Sequence, residues 1–372
     1  MWCHHQKKII AVVITILLII LSGCKSAEPS PSVPGLPDLE ESQKNNPSQK
    51  DIDYAQGERN RAEEQKQEDI TTQIDYQKVK PNELGEVMIV MYHYFGEEEK
   101  DTWWRSFENF RKDLKILYEK GYRLISLDDF LSNNIDIPAG TSPVVFTFDD
   151  GTNGQFKLIE KNGHKVVSPD TAVGIMQEFY NNHPDFGLEG TFYINDEAFV
   201  GSAGTEKERL QYLLDLGMDI GNHTFGHTNL AKADPQAIQE AIGKHVEKMN
   251  NYFPNYKHST LALPFGEYAN STFNYIVEGQ YNNIKYKNDA VLLVGWKPSP
   301  SSVHRNFDPL KLLRVRAGEG VEHDMYYYLD YFDKNPEMRY VSDGDKDTIC
   351  FPEELSENLR PEKVGDKKII TY

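Results

Sequence analysis

The sequence is poor in cysteine, with Cys3, Cys24 and Cys350 the only three in 372 residues. A disulfide-built scaffold is therefore excluded. Clustered basic residues are missing too: 40 Lys and Arg stand against 58 Asp and Glu, a net charge of −18. Phosphate binding relies on such clusters, so nucleic acid is excluded as a partner. The longest apolar run, Ile9 to Leu21 with Thr15 inside it, falls short of the ~20 residues of a spanning helix. No internal repeat is present. What remains is a chain that is 39% hydrophobic and 12% aromatic, long enough for one large barrel or for two or three smaller domains.

Lys7 and Lys8 precede the apolar run, and Leu21-Ser22-Gly23-Cys24 follows it. This segment resembles a bacterial lipobox, as against an ordinary signal peptide or a short anchor helix. The resemblance implies a signal peptide over 1–23 and diacylglycerol on Cys24. The protein would then be lipid-anchored on the extracytoplasmic face of the cell membrane, with Cys350 left as a lone thiol. Residues 24–84 are rich in Pro, Ser, Glu, Gln, Lys and Asn without a sustained period. They read as a disordered tether, with a short helix at Glu58 to Gln67 as the rival.

Residues 85–372 read as one ordered domain. Val87 to Tyr92 and Val144 to Phe148 are continuous apolar runs, as in strands of a parallel sheet. Further strands are expected at Gly190–Ile194, Met218–Ile220, Ser259–Leu263, Ala290–Val294 and Leu313–Arg316. Helices are expected between them: Arg105–Lys120, one starting at Ser168-Pro169, one behind a Thr205/Glu208 capping box, and one opened by Asp234-Pro235. The alternation predicts an α/β fold with a parallel sheet, open or closed as a barrel. Asn162-Gly163, flanked by two short strand patterns, predicts an inserted β-hairpin.

Two segments carry chemistry. Thr147-Phe148-Asp149-Asp150-Gly151 places paired carboxylates at the end of a buried strand, where their repulsion calls for a shared cation or proton. The competing reading is a helix cap, which Asp128-Asp129 after Ser126 supplies elsewhere. His223-Thr224-Phe225-Gly226-His227 follows another strand and holds two imidazoles four apart. That spacing is weak evidence alone, and without a Glu beside the first His it is not a thermolysin-type helix.

Together, in this order, the segments resemble the first (T-F-D-D-G) and second (H-[ST]-x-x-H) motifs of the polysaccharide deacetylases, the NodB-homology family or carbohydrate esterase family 4. The likeness runs from about Val87 to at least Arg316. It implies a distorted (β/α) barrel in which Asp150, His223 and His227 hold a divalent metal, Zn first and Co or Ni as alternatives. Asp149 would be the general base. Leu263-Pro264-Phe265-Gly266 matches the end of the third motif, R-x-P-[FY]-G, which makes the Phe265 N–H the oxyanion donor and puts Pro264 against the substrate. The motif's Arg is Ala262, so the cation that orients the base is expected to be missing. Of the fourth motif, D-x-x-D-W, only Trp296 survives, expected to wall the acetyl pocket, with Leu292 and Gly295 at its carboxylate positions. Met91-Tyr92-His93 resembles the M-Y-H opening of the poly-N-acetylglucosamine deacetylase branch. That likeness makes His93 the general acid, an imidazolium that protonates the departing amine, with His304 the runner-up.

Trp103 and Trp104 read as packing anchors, and Asp343-Gly344-Asp345 with Asp347 as turns, since calcium-loop spacing is absent. The resemblance thus implies metal-dependent N-deacetylation of a cell-surface polysaccharide such as poly-N-acetylglucosamine or the glycan of peptidoglycan. The rivals are an O-acetyl esterase on xylan-like glycans and a catalytically impaired metal- and sugar-binding homologue.

Overall fold

Strand β1 (Glu86–Tyr92) reads Glu-Val-Met-Ile-Val-Met-Tyr and is buried at every position after Glu86. A strand apolar at both parities needs cover on both faces. The computed structural model describes residues 74–372 and supplies that cover. Beside β1 lies β2 (Ser142–Asp149), followed by β3 (Thr191–Ile194), β4 (Asp219–Asn222), β5 (Thr260–Ala262) and β6 (Ala290–Leu292), each parallel to the one before. Residues 312–316, ending in β7 (Val315–Arg316), close the curl. On one side Leu293 N donates to Leu312 O (2.7 Å) and Leu312 N to Val291 O (2.9 Å). On the other, Val315 and Arg316 pair in parallel with Val90 and Met91. The sheet is the distorted (β/α) barrel expected from the sequence.

Alternation along the strands decides what faces inward. Val87, Ile89, Val145, Tyr193 and Ala262 belong to one buried cluster, and Met88, Val90, Tyr92, Val144, Phe146 and Phe148 to another that packs against helices. By the same parity His93, Thr147, Asp149, Arg314 and Arg316 fall on the inner face. Outside run α1 (Phe107–Glu119), α2 (Ala172–Asn182), α3 (Glu206–Asp215), α4 (Pro235–Tyr252) and α5 (Met325–Lys334). The α3 capping box and the Asp234/Pro235 start of α4 form as expected. Helix α2 begins later than Ser168-Pro169, because Thr171 is the residue whose hydroxyl caps Gly174 N.

The inserted hairpin pairs Leu158–Lys161 with His164–Val167, with Asn162 and Gly163 at φ 53° and 77°. A second hairpin, Glu278–Tyr281 with Ile284–Lys287, was not expected. Its Asn282-Asn283 turn is a weaker signal than Asn-Gly, although Asn282 takes the required positive φ of 51°.

The domain also starts earlier than residue 85. Tyr76–Val79 form a short helix, and Asn82, Glu83 and Leu84 are buried. Glu83 fastens this segment to the C-terminal extension: its carboxylate accepts from Asp343 N (3.3 Å) and Cys350 N (3.0 Å). In that extension the Asp343 and Asp345 side chains cap backbone N–H groups two residues on, so this stretch is a set of turns. The signal peptide over 1–23, Cys24, the helix at Glu58 to Gln67 and the tether before residue 74 lie outside the described residues. Among the described residues no helix is long and apolar enough to cross a membrane.

Candidate active site

The site is assembled where β2, β4 and β5 end. After Asp149 the chain turns sharply, with Asp150 at φ 79° and Gly151 at φ 63°. A side chain at Gly151 would also meet Ile194, its Cβ 2.8 Å from Cδ1. The turn leaves Asp149 1% exposed inside the barrel and lifts Asp150 to the mouth. Beyond β4, Asn222 braces the second motif: its Oδ1 accepts from Thr224 N (2.8 Å) and its Nδ2 donates to Ile242 O (3.1 Å). Thr224, Gly226 and His227 all have positive φ, so the motif is a coiled loop. The two imidazole centroids come within 5.0 Å.

His223 Nε2 and His227 Nε2 each lie 3.5 Å from Asp150 Oδ1. The His223 Nδ1 is 2.8 Å from the carbonyl oxygen of Ala262. A carbonyl only accepts, so Nδ1 carries the hydrogen and the Nε2 lone pair faces Asp150. Burial pushes the His223 imidazole below its ordinary pKa, against the pull of Asp149 and Asp150. A lone pair aimed at an anionic oxygen is repelled unless a cation lies between them. The donor set, imidazole nitrogens plus one carboxylate with ligand atoms within 4.8 Å of one another, fits Zn²⁺ and its Co²⁺ and Ni²⁺ neighbours.

Asp149 is held from the opposite side. Arg314 Nη1 and Nη2 donate to its two oxygens at 2.7 Å each, and Arg314 itself is wholly buried. Two of the three remaining guanidinium hydrogens reach Leu293 O (Nε, 3.0 Å) and Thr147 Oγ1 (Nη1, 3.2 Å). Burial alone would raise the Asp149 carboxyl, but Arg314, His223 and His93 outweigh it and hold the group well below the carboxylate range.

The expectation that Ala262 leaves Asp149 without a cation is thus corrected: the guanidinium comes from Arg314, the residue just before β7. Gly295, at one of the fourth-motif positions, accommodates this arginine. A Cβ on Gly295 would sit 2.6 Å from Arg314 N and 2.9 Å from Arg314 O. Only glycine lets the Arg314 backbone pass.

His93 caps β1, with Nε2 3.7 Å from Asp149 Oδ2. Burial drives its pKa down to about 4, against the attraction of Asp149 and Asp150. It is therefore neutral at neutral pH, and the imidazolium expected from sequence is not what this environment favours. The Trp103 ring packs 4.7 Å from it.

These groups share a cleft of about 420 Å³, completed by Tyr94, Leu263, Phe265, Glu267 and Val294. Phe265, at φ 62°, stands over His227 with 4.7 Å between centroids. Asp149, Asp150, His223, His227, His93 and Phe265 are thus brought together. Pro264 is buried and does not line the cleft. Trp296 does not line it either: it is 61% exposed, its carbonyl accepts from the Tyr328 hydroxyl, and Val294 takes the wall. His304 lies in another groove, beside Asn82 and Lys311. Trp103 stands at the cleft edge, contrary to its reading as a packing anchor, while Trp104 stacks on Tyr94 at 5.3 Å. Sequence reasoning missed Arg314, Tyr94 and Glu267. For Arg314 a signal existed: Arg314 and Arg316 alternate with Val315 in an expected strand, and an arginine on the inner face of a barrel needs a carboxylate.

Comparison with known proteins bears on the same segment. Residues 136–284 match the family model described as Polysaccharide deacetylase. That range holds both motifs and Phe265 but neither His93 nor Arg314. The peptidoglycan-N-acetylglucosamine deacetylase of Bacillus cereus is 24% identical over 163 residues, 43% of this chain. The match spans about half of that relative's length, 48%. Among solved structures, the Streptococcus pyogenes deacetylase PplD, in complex with acetate, aligns at TM-score 0.48 and 18% identity, covering 66% of this chain and 97% of that one. A polysaccharide deacetylase from Bacillus cereus aligns at TM-score 0.49 and 19% identity, covering 66% and 68%.

Proposed function

We propose, from the premise that this chain belongs to the polysaccharide deacetylase family, that it removes N-acetyl groups from a cell-surface glycan built on N-acetylglucosamine, as a metal-dependent hydrolase. The observation that carries the reading is the pairing of Asp149 with Arg314 beside the Asp150–His223–His227 trio. Asp150, His223 and His227 would hold the ion, Zn²⁺ first. When bound, such an ion supplies Lewis acidity and lowers the pKa of water in the site.

The chain's own residues do the rest. Asp149, ionised and fixed by the Arg314 fork, accepts at Oδ2 the proton of the attacking water as its oxygen bonds to the acetyl carbon. His93, neutral beforehand, takes that proton at Nε2 from Asp149 Oδ2, 3.7 Å away, which restores the carboxylate, and passes it to the departing nitrogen as the C–N bond breaks. Water and amide thereby become acetate and amine. The Phe265 N–H donates to the developing oxyanion. The aromatic edge formed by Trp103 and Phe265 gives a sugar ring apolar faces to lie against.

A catalytically impaired homologue is disfavoured, because its main support was a base without a cation. O-deacetylation is separated by the leaving group: an alkoxide leaves without the proton that an amine requires, so His93→Ala would impair amides far more than esters. The anchor at Cys24 would place the enzyme on the outer face of the membrane, and palmitate labelling lost in Cys24→Ala would test it. The activity itself is tested with Zn²⁺- or Co²⁺-loaded protein on chitooligosaccharides, peptidoglycan, poly-N-acetylglucosamine and acetylxylan. Acetate release with a matching gain of free amine is expected, and no release from any of them would refute the reading.

A further inference from the structure

The Asp150–His223–His227 trio comes from two separate segments, one after β2 and one after β4, and neither segment is held by regular structure. Asp150 and His227 sit at φ 79° and 48°, a backbone region that residues other than glycine keep where their neighbours impose it. Strand β3 runs between β2 and β4, and the two residues after it, Asn195 and Asp196, reach both segments.

The Asn195 amide donates from Nδ2 to Asp150 Oδ1 (3.1 Å), the same oxygen that lies 3.5 Å from both imidazole Nε2 atoms. Its other end is engaged as well, because Asn195 Oδ1 accepts from Asp196 N (2.6 Å). A flipped amide would set a carbonyl against the carboxylate and an amino group against the N–H, so the donor faces Asp150. Asp196 Oδ1 then accepts from Gly226 N (2.9 Å), the residue directly before His227. This pair is anchored in turn. Lys248 of α4 donates to Asp196 O and to Glu206 Oε1, and Glu206, the first residue of α3, also accepts from Ala198 N (2.9 Å). Helix α4 grips the histidine loop elsewhere too, where Phe225 N donates to Ala241 O (2.8 Å). Neither Asn195 nor Asp196 lines the cleft, so neither is placed to touch substrate.

We infer that Asn195 and Asp196 are positioning residues, a two-residue clasp that fixes the Asp150 carboxylate and the histidine loop to each other and gathers the ligand atoms before the ion arrives. This rests on the proposed metal site and deepens it by naming what orders its ligands. A hydrogen bond to a ligating carboxylate aims the oxygen and removes the entropy of ordering it on binding, and such outer partners typically carry about 10- to 100-fold in metal affinity.

The test is titration of the full chain, stripped of metal, with Zn²⁺ followed by calorimetry and with Co²⁺ followed by its visible absorption, beside the Tm of the metal-free protein. Asn195→Leu and Asp196→Ala should each weaken binding by about 10- to 100-fold and alter the Co²⁺ bands, with the metal-free Tm within about 2 °C of wild type. Asp196→Asn keeps the acceptor for Gly226 N and should recover most of the loss, which separates positioning from the attraction of an anion for the ion. Unchanged affinity and spectra in Asn195→Leu and Asp196→Ala would overturn the inference. So would an Asp196→Asn variant as weak as Asp196→Ala, or a metal-free Tm that falls in step with affinity. Wild type that binds neither ion would remove the metal site and the clasp with it. Wild type that binds Zn²⁺ through the clasp but releases no acetate would leave the clasp standing and remove the proposed activity.

Discussion

Replacing Arg314 by Met tests the pairing at the centre of the site. Asp149 and Arg314 are 1% and 0% exposed and share two 2.7 Å bonds. Removing one partner of such a pair leaves a buried charge uncompensated, at a cost of about 3 to 5 kcal/mol. Arg314→Met should fall in that range by urea denaturation, and Asp149→Asn should also destabilise, since Arg314 then lacks its counter-charge. The double variant Asp149→Asn/Arg314→Met should be more stable than the sum of the singles by roughly 2 kcal/mol or more, because neither charge remains. Acetate release gives the second readout. Arg314→Lys keeps the charge but loses the fork and the bonds to Leu293 O and Thr147, so the base is less firmly aimed, and kcat should drop by about 10- to 100-fold. Additivity of the two substitutions within about 0.5 kcal/mol, or a Lys variant as active as wild type, would refute the reasoning.

Ala262→Arg, which restores the family's third motif, should be destabilising while Arg314 is present, because it adds a second buried cation beside Asp149. Arg314→Ala in the same chain should recover part of the loss, read as Tm. Gly295→Ala should destabilise by about 1 to 3 kcal/mol, since its Cβ falls 2.6 Å from Arg314 N; an unchanged Tm would contradict the close approach. Glu83 gives a pH dependence. Burial and the charge of Asp343 raise its pKa from 4.5 to about 8, against hydrogen bonds from Cys350 N and Asp343 N. The folded state therefore holds a proton that the unfolded state has released, and this contribution is complete below pH 4.5 and lost as pH rises through about 8. Its loss should amount to about 2 to 4 kcal/mol between pH 5 and 9, and Glu83→Gln should flatten that part of the profile in denaturation experiments. Chelation of the metal should lower both acetate release and Tm, with both restored by Zn²⁺.

The legible parts of this protein are those whose physics is local. Thr205 with Glu208, Asp234-Pro235 and Asn162-Gly163 each specify a cap or turn within a few residues, and each forms as read. The Asp149–Asp150 and His223–His227 segments were legible for a similar reason, since each carries its strand end and its turn with it. Arg314 was not, because its partner lies 165 positions away and only closure of the barrel brings them together. Ala262 offers no cation to Asp149, but a missing residue does not reveal its replacement. His93 lines the cleft from the end of β1, while its charge state depends on burial that the strand pattern alone does not convey. The boundary at residue 85 failed because Glu83 is buried by a segment that arrives some 260 residues later.

The most direct test of the account is acetate release from N-acetylglucosamine-containing oligosaccharides by the Zn²⁺-loaded protein, compared with Asp149→Asn at equal metal content. The account predicts release of acetate and free amine in equal amounts by wild type, and its abolition in Asp149→Asn. Undiminished release by Asp149→Asn, or no release by wild type from any acetylated glycan, would contradict it.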